Sequence, residues 1–301
     1  MNILPFNKQI AAIAALTEGC SIRATERLTG IHRDSIMRLG VRVGEGCARL
    51  HDALMRDLQV SIIEFDEIWA YVGKKQRRTA EDETDKGDQY TFTALDAVGK
   101  AIISYRTGKR NAENTQAFAQ DVRSRVINRP QITSDGFEPY VDAVEQAFGA
   151  DVDYAMLVKV YKAEPAEDAA RRYSPGYVVG VNRARRAGQP KLAHISTSYV
   201  ERSNLTLRMQ QRRFTRLTNG FSKKLVNHRA AVSLYVAHYN LCRVHETIRM
   251  TPAMQLGVVD HIWEIGELVE AALEGVIPEP PGERHGRFRV IDGGLSNSKD
   301  S

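Results

Sequence analysis

The sequence predicts a mixed α/β protein, in which a short helical head precedes a mixed sheet crossed by helices. Three observations lead there. Apolar residues recur at helical spacing from about residue 7 to residue 58. At Val60 the composition turns to β-branched and aromatic residues. From that point the segments run as three strands, helix, strand, helix, strand, long loop and helix, an order that belongs to a sheet with helical crossovers.

The bulk composition sets the frame. At 301 residues, 43% hydrophobic and 26% charged, the chain is long enough for one large domain with an appendage or for two ordinary ones. The net charge of +5 tilts it towards an anionic partner, and the tilt is sharper locally because the basic residues cluster. Cys20, Cys47 and Cys242 are too scattered for a disulfide framework or a cysteine zinc site, and are expected to be small buried thiols. No apolar run is long enough to span a membrane, and the N-terminus lacks a secretion signal. A cytoplasmic protein is expected.

In the head, Asn7 can cap a first helix carrying Ile10, Ile13 and Leu16, and Ser21 can cap a second carrying Ile22, Thr25 and Leu28. Gly30 supplies a tight turn into a third helix with Ile36, Leu39 and Val43 inward. The other face of that helix shows His32, Arg33, Ser35, Arg38 and Arg42. A short helix, a glycine turn and a helix with a basic face form the helix-turn-helix pattern, which spans residues 1–43 here. The plainer alternative is a small helical bundle with a solvated face. Residues 44–59 read as a linker helix.

Val60 to Val72 reads as a strand with Asp66 in its middle, where an unpaired charge is costly. Tyr90–Asp96 and Ala101–Tyr105 read as two further strands of a meander. Asn111–Val126 is helical, Gln131–Gly136 is a short strand ending at Asp135, and Phe137–Phe148 is a helix. Asp153–Tyr161 is another strand. Residues from about 162 to 196 show weak periodicity and are taken as an insertion. A helix then opens at Thr197-Ser-Tyr-Val-Glu201. After the turn at Asn219-Gly220 comes a long helix from Ser222 to about Cys242. C-terminal helices occupy 246–277, and 278–301 is expected to be a disordered tail.

Acidic residues fall in the first strand (Asp66), at the end of the fourth (Asp135) and on the helix after the fifth (Glu201). They converge if the fourth strand lies parallel beside the first. Hard divalent cations take carboxylate oxygens, and two such ions about 3.5–4 Å apart can serve both oxygens of a phosphodiester displacement. Glu201 also opens the most basic stretch of the chain: no Asp or Glu occurs from Arg202 to His245, whereas Arg202, Arg208, Arg212, Arg213, Lys223 and Arg229 do. A second role for Glu201 stays open, since Ser198-x-x-Glu201 fits a helix capping box and Ser198 can cap the helix that holds Glu201 at the metals. Alternation turns Glu67 away from any site that Asp66 faces, and leaves Glu64 on the same face two residues off. Asp96 is a further group that can support or join the site.

The segments Glu64-Phe-Asp66-Glu-Ile-Trp-Ala-Tyr-Val-Gly-Lys-Lys75, Ala94-Leu-Asp96, Thr133-Ser-Asp135-Gly, Ser198-Tyr-Val-Glu201-Arg-Ser-Asn-Leu-Thr-Leu-Arg208 and Tyr239-Asn-Leu-Cys-Arg-Val-His245 together resemble bacterial insertion-sequence transposases of the DDE type, chiefly the insertion-sequence-one class and its longer relatives. The resemblance runs from about residue 8 to residue 257. It implies a ribonuclease H-like catalytic domain over 60–245, with Asp66, Asp135 and Glu201 as metal ligands for two Mg²⁺ ions, Mn²⁺ substituting. It also implies a basic residue two turns beyond the glutamate, where Arg208 stands on one face with Glu201, Asn204 and Leu205.

Some members of that class carry a cysteine-ligated zinc module before the helix-turn-helix. None is expected here, so end recognition falls to the head and to the basic region of Arg208, Arg212 and Arg213. The implied partners are double-stranded DNA at element ends and target, and a second copy of the chain, in a homodimer or larger assembly at the nucleoid. The alternative is a non-enzymatic DNA-binding regulator, or a transposase whose catalysis has decayed.

Overall fold

The computed structural model describes residues 4–162, 177–215 and 218–275. Its centre is a six-stranded mixed sheet of β1 (Ile62–Val72), β2 (Gly87–Asp96), β3 (Ile102–Gly108), β4 (Gln131–Ser134), β5 (Asp153–Lys162) and β6 (Tyr177–Ala187), in the order β3-β2-β1-β4-β5-β6. β1, β2 and β3 form the expected antiparallel meander, and β4 lies parallel to β1 and β5 parallel to β4. The architecture is the mixed α/β one expected, built on a single mixed sheet.

β6 departs from the sequence reading, which places its residues in a structureless insertion. It pairs antiparallel with β5 from Tyr154↔Ala187 to Lys162↔Tyr177. Val178, Val179 and Val181 of this edge strand are all exposed among the described residues, and no apolar-polar alternation marks it. The tip of the expected insertion, 163–176, and the expected tail, 278–301, lie outside the described residues.

Helices cover both faces. On one, α4 (Ala112–Arg125) and α5 (Pro139–Phe148) enclose Phe65, Phe92, Phe118 and Tyr140, whose rings meet at centroid distances of 5.0–6.4 Å. Asn111 caps α4, its side chain accepting from the Asn114 N–H at 3.1 Å. Each of these rings stabilises the core by about 1.5–3 kcal/mol through burial. On the other face lie α6 (Ser198–Gln210) and α7 (Leu225–Ala237), with Val200, Leu207, Val232 and Val236 packed on Ile68, Ala70 and Ile102 of the sheet. A π-helical turn, His238–Cys242, continues α7. There Asn240 bonds the Ile102 backbone both ways, at 3.0 and 2.9 Å, and the Tyr239 hydroxyl donates to the Lys100 carbonyl. Two members of the Tyr239-to-His245 motif thus anchor the helical layer to β3.

The head comprises α1 (Phe6–Thr17), α2 (Ile22–Thr29) and α3 (Arg33–Leu54). Ser21 caps α2 through the Ala24 N–H, and Gly30, at φ +69°, makes the turn. α3 runs unbroken across the boundary expected at residues 43 and 44. Its glycines allow close packing instead of a break: a Cβ on Gly44 would lie 2.2 Å from the Ala230 carbonyl of α7. One on Gly46 would lie 1.9 Å from the Ala272 carbonyl of α9 (Ile265–Glu274). A short helix, α8 (Pro252–Gln255), is capped by Thr251. The buried cluster is continuous from Ala12 and Ile36 through Leu50 to Phe65, Phe118 and Leu268, so head and sheet share one core.

α6 is seated by a contact from the sheet. Glu64, 1% exposed in β1, accepts from the Tyr199 and Val200 N–H groups at 2.8 and 2.9 Å with one carboxylate oxygen. The capping box expected from Ser198 does not form: Thr197 stands at the N-cap position without a capping side-chain bond, and Glu64 supplies the acceptor and the negative charge that a helix N-terminus favours. Burial raises the Glu64 pKa above the usual carboxylate range, and the two N–H bonds oppose that shift. Glu64→Ala is expected to lower unfolding stability by roughly 2–3 kcal/mol, and Glu64→Gln, which keeps an acceptor, by about 1 kcal/mol, both read from urea titration.

Candidate metal centre

β4 pairs with β1 only from Ile62↔Gln131 to Glu64↔Thr133 and ends at Ser134. Continued by two residues, the same register sets Asp66 beside Asp135. Convergence at this rim, where β4 stops and β1 runs on, is what the sequence predicts for these two residues. One carboxylate oxygen from each of Asp66, Glu67 and Asp135 lies within 4.8 Å of the others.

Glu67 is the member the sequence reading discards. Alternation does hold: Asp66 faces α6, accepting from the Asn204 amide at 2.8 Å, while Glu67 leaves from the opposite face to accept from the Tyr140 hydroxyl at 2.9 Å. The sheet is open past Ser134, however, and the longer glutamate reaches round its edge. Arg110 meets Glu67 through Nε, lies 3.8 Å from Asp135, and stacks its guanidinium 3.9 Å over the Phe137 ring. Arg110 has no signal in the sequence beyond its place just before the Asn111 cap.

Glu201 stands beside this group. Its carboxylate accepts from Lys159 Nζ of β5 and from Thr197 Oγ1, the latter at 2.6 Å. It is close enough to Asp135 to add to the repulsion there. Asn204, one turn on and 4% exposed, touches Asp66, so the Glu201–Asn204 face of α6 looks onto the rim as the spacing predicts. Asp96 is occupied elsewhere, closing its own turn by accepting from the Val98 and Gly99 N–H groups at 3.0 and 2.8 Å.

The expected nucleic-acid residues divide. His32, Arg33, Arg38 and Arg42 are exposed along α3, with Ser35 half-buried among them. Arg212 is exposed after α6. Arg213 is instead turned inward, donating to the Ser222 hydroxyl at 2.7 Å, because the 3₁₀ turn Arg212–Phe214 points successive side chains in different directions. Arg208 is half-buried on the α6 face that carries Glu201. Among the described residues Cys47 is buried, Cys20 and Cys242 are half-buried, and all three are free. No helix among the described residues is long and apolar enough to cross a membrane.

Electrostatically the rim suits a hard cation. Desolvation lifts Asp66 from its ordinary value to about 7, the nearby Glu67 and Asp135 carboxylates add to the rise, and the Asn204 bond opposes it. Burial likewise raises Glu67 and Asp135. Carboxylates drawn together against mutual repulsion, with oxygens in reach of one another, offer the oxygen donors that a hard divalent cation takes.

No family model and no curated protein matches the chain. Among solved structures it overlaps the piggyBac transposase synaptic complex with hairpin DNA, at 9% identity and a TM-score of 0.34, over 87% of this chain. It spans 58% of that transposase chain. A second overlap is with the Mos1 strand transfer complex, at 13% identity and a TM-score of 0.22, over 79% of each chain. Overlaps this loose carry no functional weight.

The Asp66 shift fixes a pH dependence. A carboxyl whose folded pKa exceeds its unfolded value of 3.8 stabilises the protein at low pH, and that contribution is lost as pH rises towards about 7. The metal-free protein is expected to lose thermal stability between about pH 4 and pH 7, with a shallower slope in Asp66→Asn. Mn²⁺ affinity, followed by calorimetry over the same window, should rise with pH as Asp66 releases its proton.

Proposed function

We propose that the protein is a DNA transposase that binds element ends and carries out metal-dependent DNA cleavage and strand transfer. The observation that carries this reading is the meeting of Asp66 and Asp135 at the open end of β4, with Glu201 presented beside them at the start of an acid-free basic segment. Asp66, Asp135 and Glu201 are the proposed ligands for two Mg²⁺ ions, with Mn²⁺ as substitute, and Glu67 adjoins them. When bound, such ions supply a water or hydroxyl activated near neutral pH and positive charge at the leaving oxygen.

The chain's own residues supply position. Asn204 holds one Asp66 oxygen, which fixes the direction of its other lone pairs towards the rim. Glu64 holds the N-terminus of α6 and thereby the height of Glu201 above the sheet. Arg208 and Arg212, past Glu201 on the acid-free segment, are the proposed contacts to phosphates of the bound strand. Hydrolysis at an element end frees a 3′-OH, and attack of that hydroxyl on target DNA joins the two. Both are displacements at phosphorus, so no covalent protein–DNA link is needed.

His32, Arg33, Ser35, Arg38 and Arg42 on the first turns of α3 are proposed to read the terminal inverted repeats, phosphate contacts giving position and base edges giving specificity. Acting on two ends calls for a homodimer or larger assembly on DNA. A cytoplasmic, nucleoid-associated insertion-sequence enzyme is the setting this implies.

One observation favours the second reading, a DNA-binding protein without catalysis: Glu201 is engaged by Lys159 and lies outside the three-carboxylate group. A strand-transfer assay on duplex DNA carrying the element's ends, with Mg²⁺ or Mn²⁺, separates the two. Metal-dependent joining is expected from the wild type, with Asp66→Asn and Glu201→Gln falling to background while still binding DNA. Specific binding without cleavage or joining by the wild type supports the regulator.

A further inference from the structure

The rim carries two basic side chains as well as its carboxylates. Arg110 holds Glu67, and Lys159 holds Glu201. Lys159 reaches the rim for a topological reason: β4 and β5 pair only as far as Ser134↔Met156, and β5 continues past the end of β4 just as β1 does. Three residues beyond that last pair, Lys159 projects on the α6 side to meet Glu201. The lysine side chain is 26% exposed and that of Glu201 42%.

Glu201 therefore has two partners in the free protein, the Lys159 ammonium and the Thr197 hydroxyl, and it sits in the first turn of α6, where the helix N-terminus also favours a negative charge. Both bonds fall on Oε1, so Glu201 can turn Oε2 towards a cation beside Asp66 and Asp135 only against the pull of the ammonium on Oε1. A positive charge beside these carboxylates also opposes the arrival of a divalent ion. Both effects act in the same direction.

We propose that Lys159 is a positioning residue that acts through Glu201, holding this carboxylate out of the metal site in the free protein and so setting a low intrinsic affinity for divalent cations. The inference rests on the reading of Glu201 as a metal ligand. It goes beyond that reading in assigning the site a built-in competitor, one that occupies the glutamate until a cation displaces it. Thr197 is the secondary restraint: its hydroxyl bonds the same Glu201 oxygen, Oε1, that Lys159 holds.

The test is Mn²⁺ binding to the full chain without DNA, by calorimetry and by the paramagnetic signal of free Mn²⁺. Lys159→Gln is expected to bind Mn²⁺ about three- to tenfold more tightly than the wild type, whereas Lys159→Arg, which keeps the charge, stays near the wild-type value. In a Glu201→Gln background Lys159→Gln should tighten binding clearly less than in the wild type, because only the direct repulsion between lysine and ion remains to be removed. Lys159→Met, of similar length, repeats the measurement should Lys159→Gln fold poorly. Unchanged or weaker Mn²⁺ binding in both neutral variants overturns the proposal while leaving the metal reading intact. Equal tightening in the Glu201→Gln background overturns the part that runs through Glu201. A wild type that takes up no Mn²⁺ overturns both the proposal and the reading it rests on.

Discussion

The contact on which the site depends is the bond pair from the Tyr199 and Val200 N–H groups to Glu64. It joins the central strand to the first turn of α6, and it is made by a buried carboxylate. With that end fixed, the helical repeat carries Glu201 to the rim and Asn204 onto Asp66. The apolar residues Val200 and Leu207 then bury the helix against Ile68 and Ala70. Packing alone would leave α6 free to slide along its axis. A charge-assisted bond at one end removes that freedom, and about one helical turn of slippage would take Glu201 away from Asp135.

The rim itself is a place where stability yields to chemistry. Asp66, Glu67 and Asp135 are drawn together and partly desolvated, and each has its pKa raised for that reason. The fold offsets the repulsion locally, with Arg110 against Glu67 and Asp135, Lys159 against Glu201, and the Asn204 amide and Tyr140 hydroxyl as neutral donors. Such a cluster is costly without a cation and stabilised with one, the arrangement expected where a fold is kept for a bound ion.

Much of this was legible in the residues. The strands of the meander, the helix from Asn111, the short β4 ending near Asp135, and the approach of Asp66 to Asp135 follow from local pattern and strand order, because the parallel placement of β4 is what a helical crossover dictates. Other features depend on contacts that no local pattern encodes. β6 escaped because an edge strand with Val178, Val179 and Val181 all exposed has no alternation to read. The head was ended at residue 43 and a linker helix begun at 44, whereas Gly44 and Gly46 let one continuous α3 pack closely against α7 and α9. Ser198 looked like the cap of α6, yet a glutamate 134 positions earlier in the chain takes that role. Glu67 was set aside by alternation, which says which face a side chain leaves from but not how far it reaches at an open edge. Arg213, read as surface, turned inward to Ser222.

The claim at the centre of the account is that Asp66, Asp135 and Glu201 act together on a divalent cation. A crystal of the protein soaked in Mn²⁺, with the ion located by its anomalous scattering, addresses it directly. The account predicts Mn²⁺ held by Asp66 and Asp135, with Glu201 turned away from Lys159 into the coordination sphere. Mn²⁺ bound by Asp66, Glu67 and Asp135 while Glu201 stays on Lys159, or no ion at the end of β4, would contradict it.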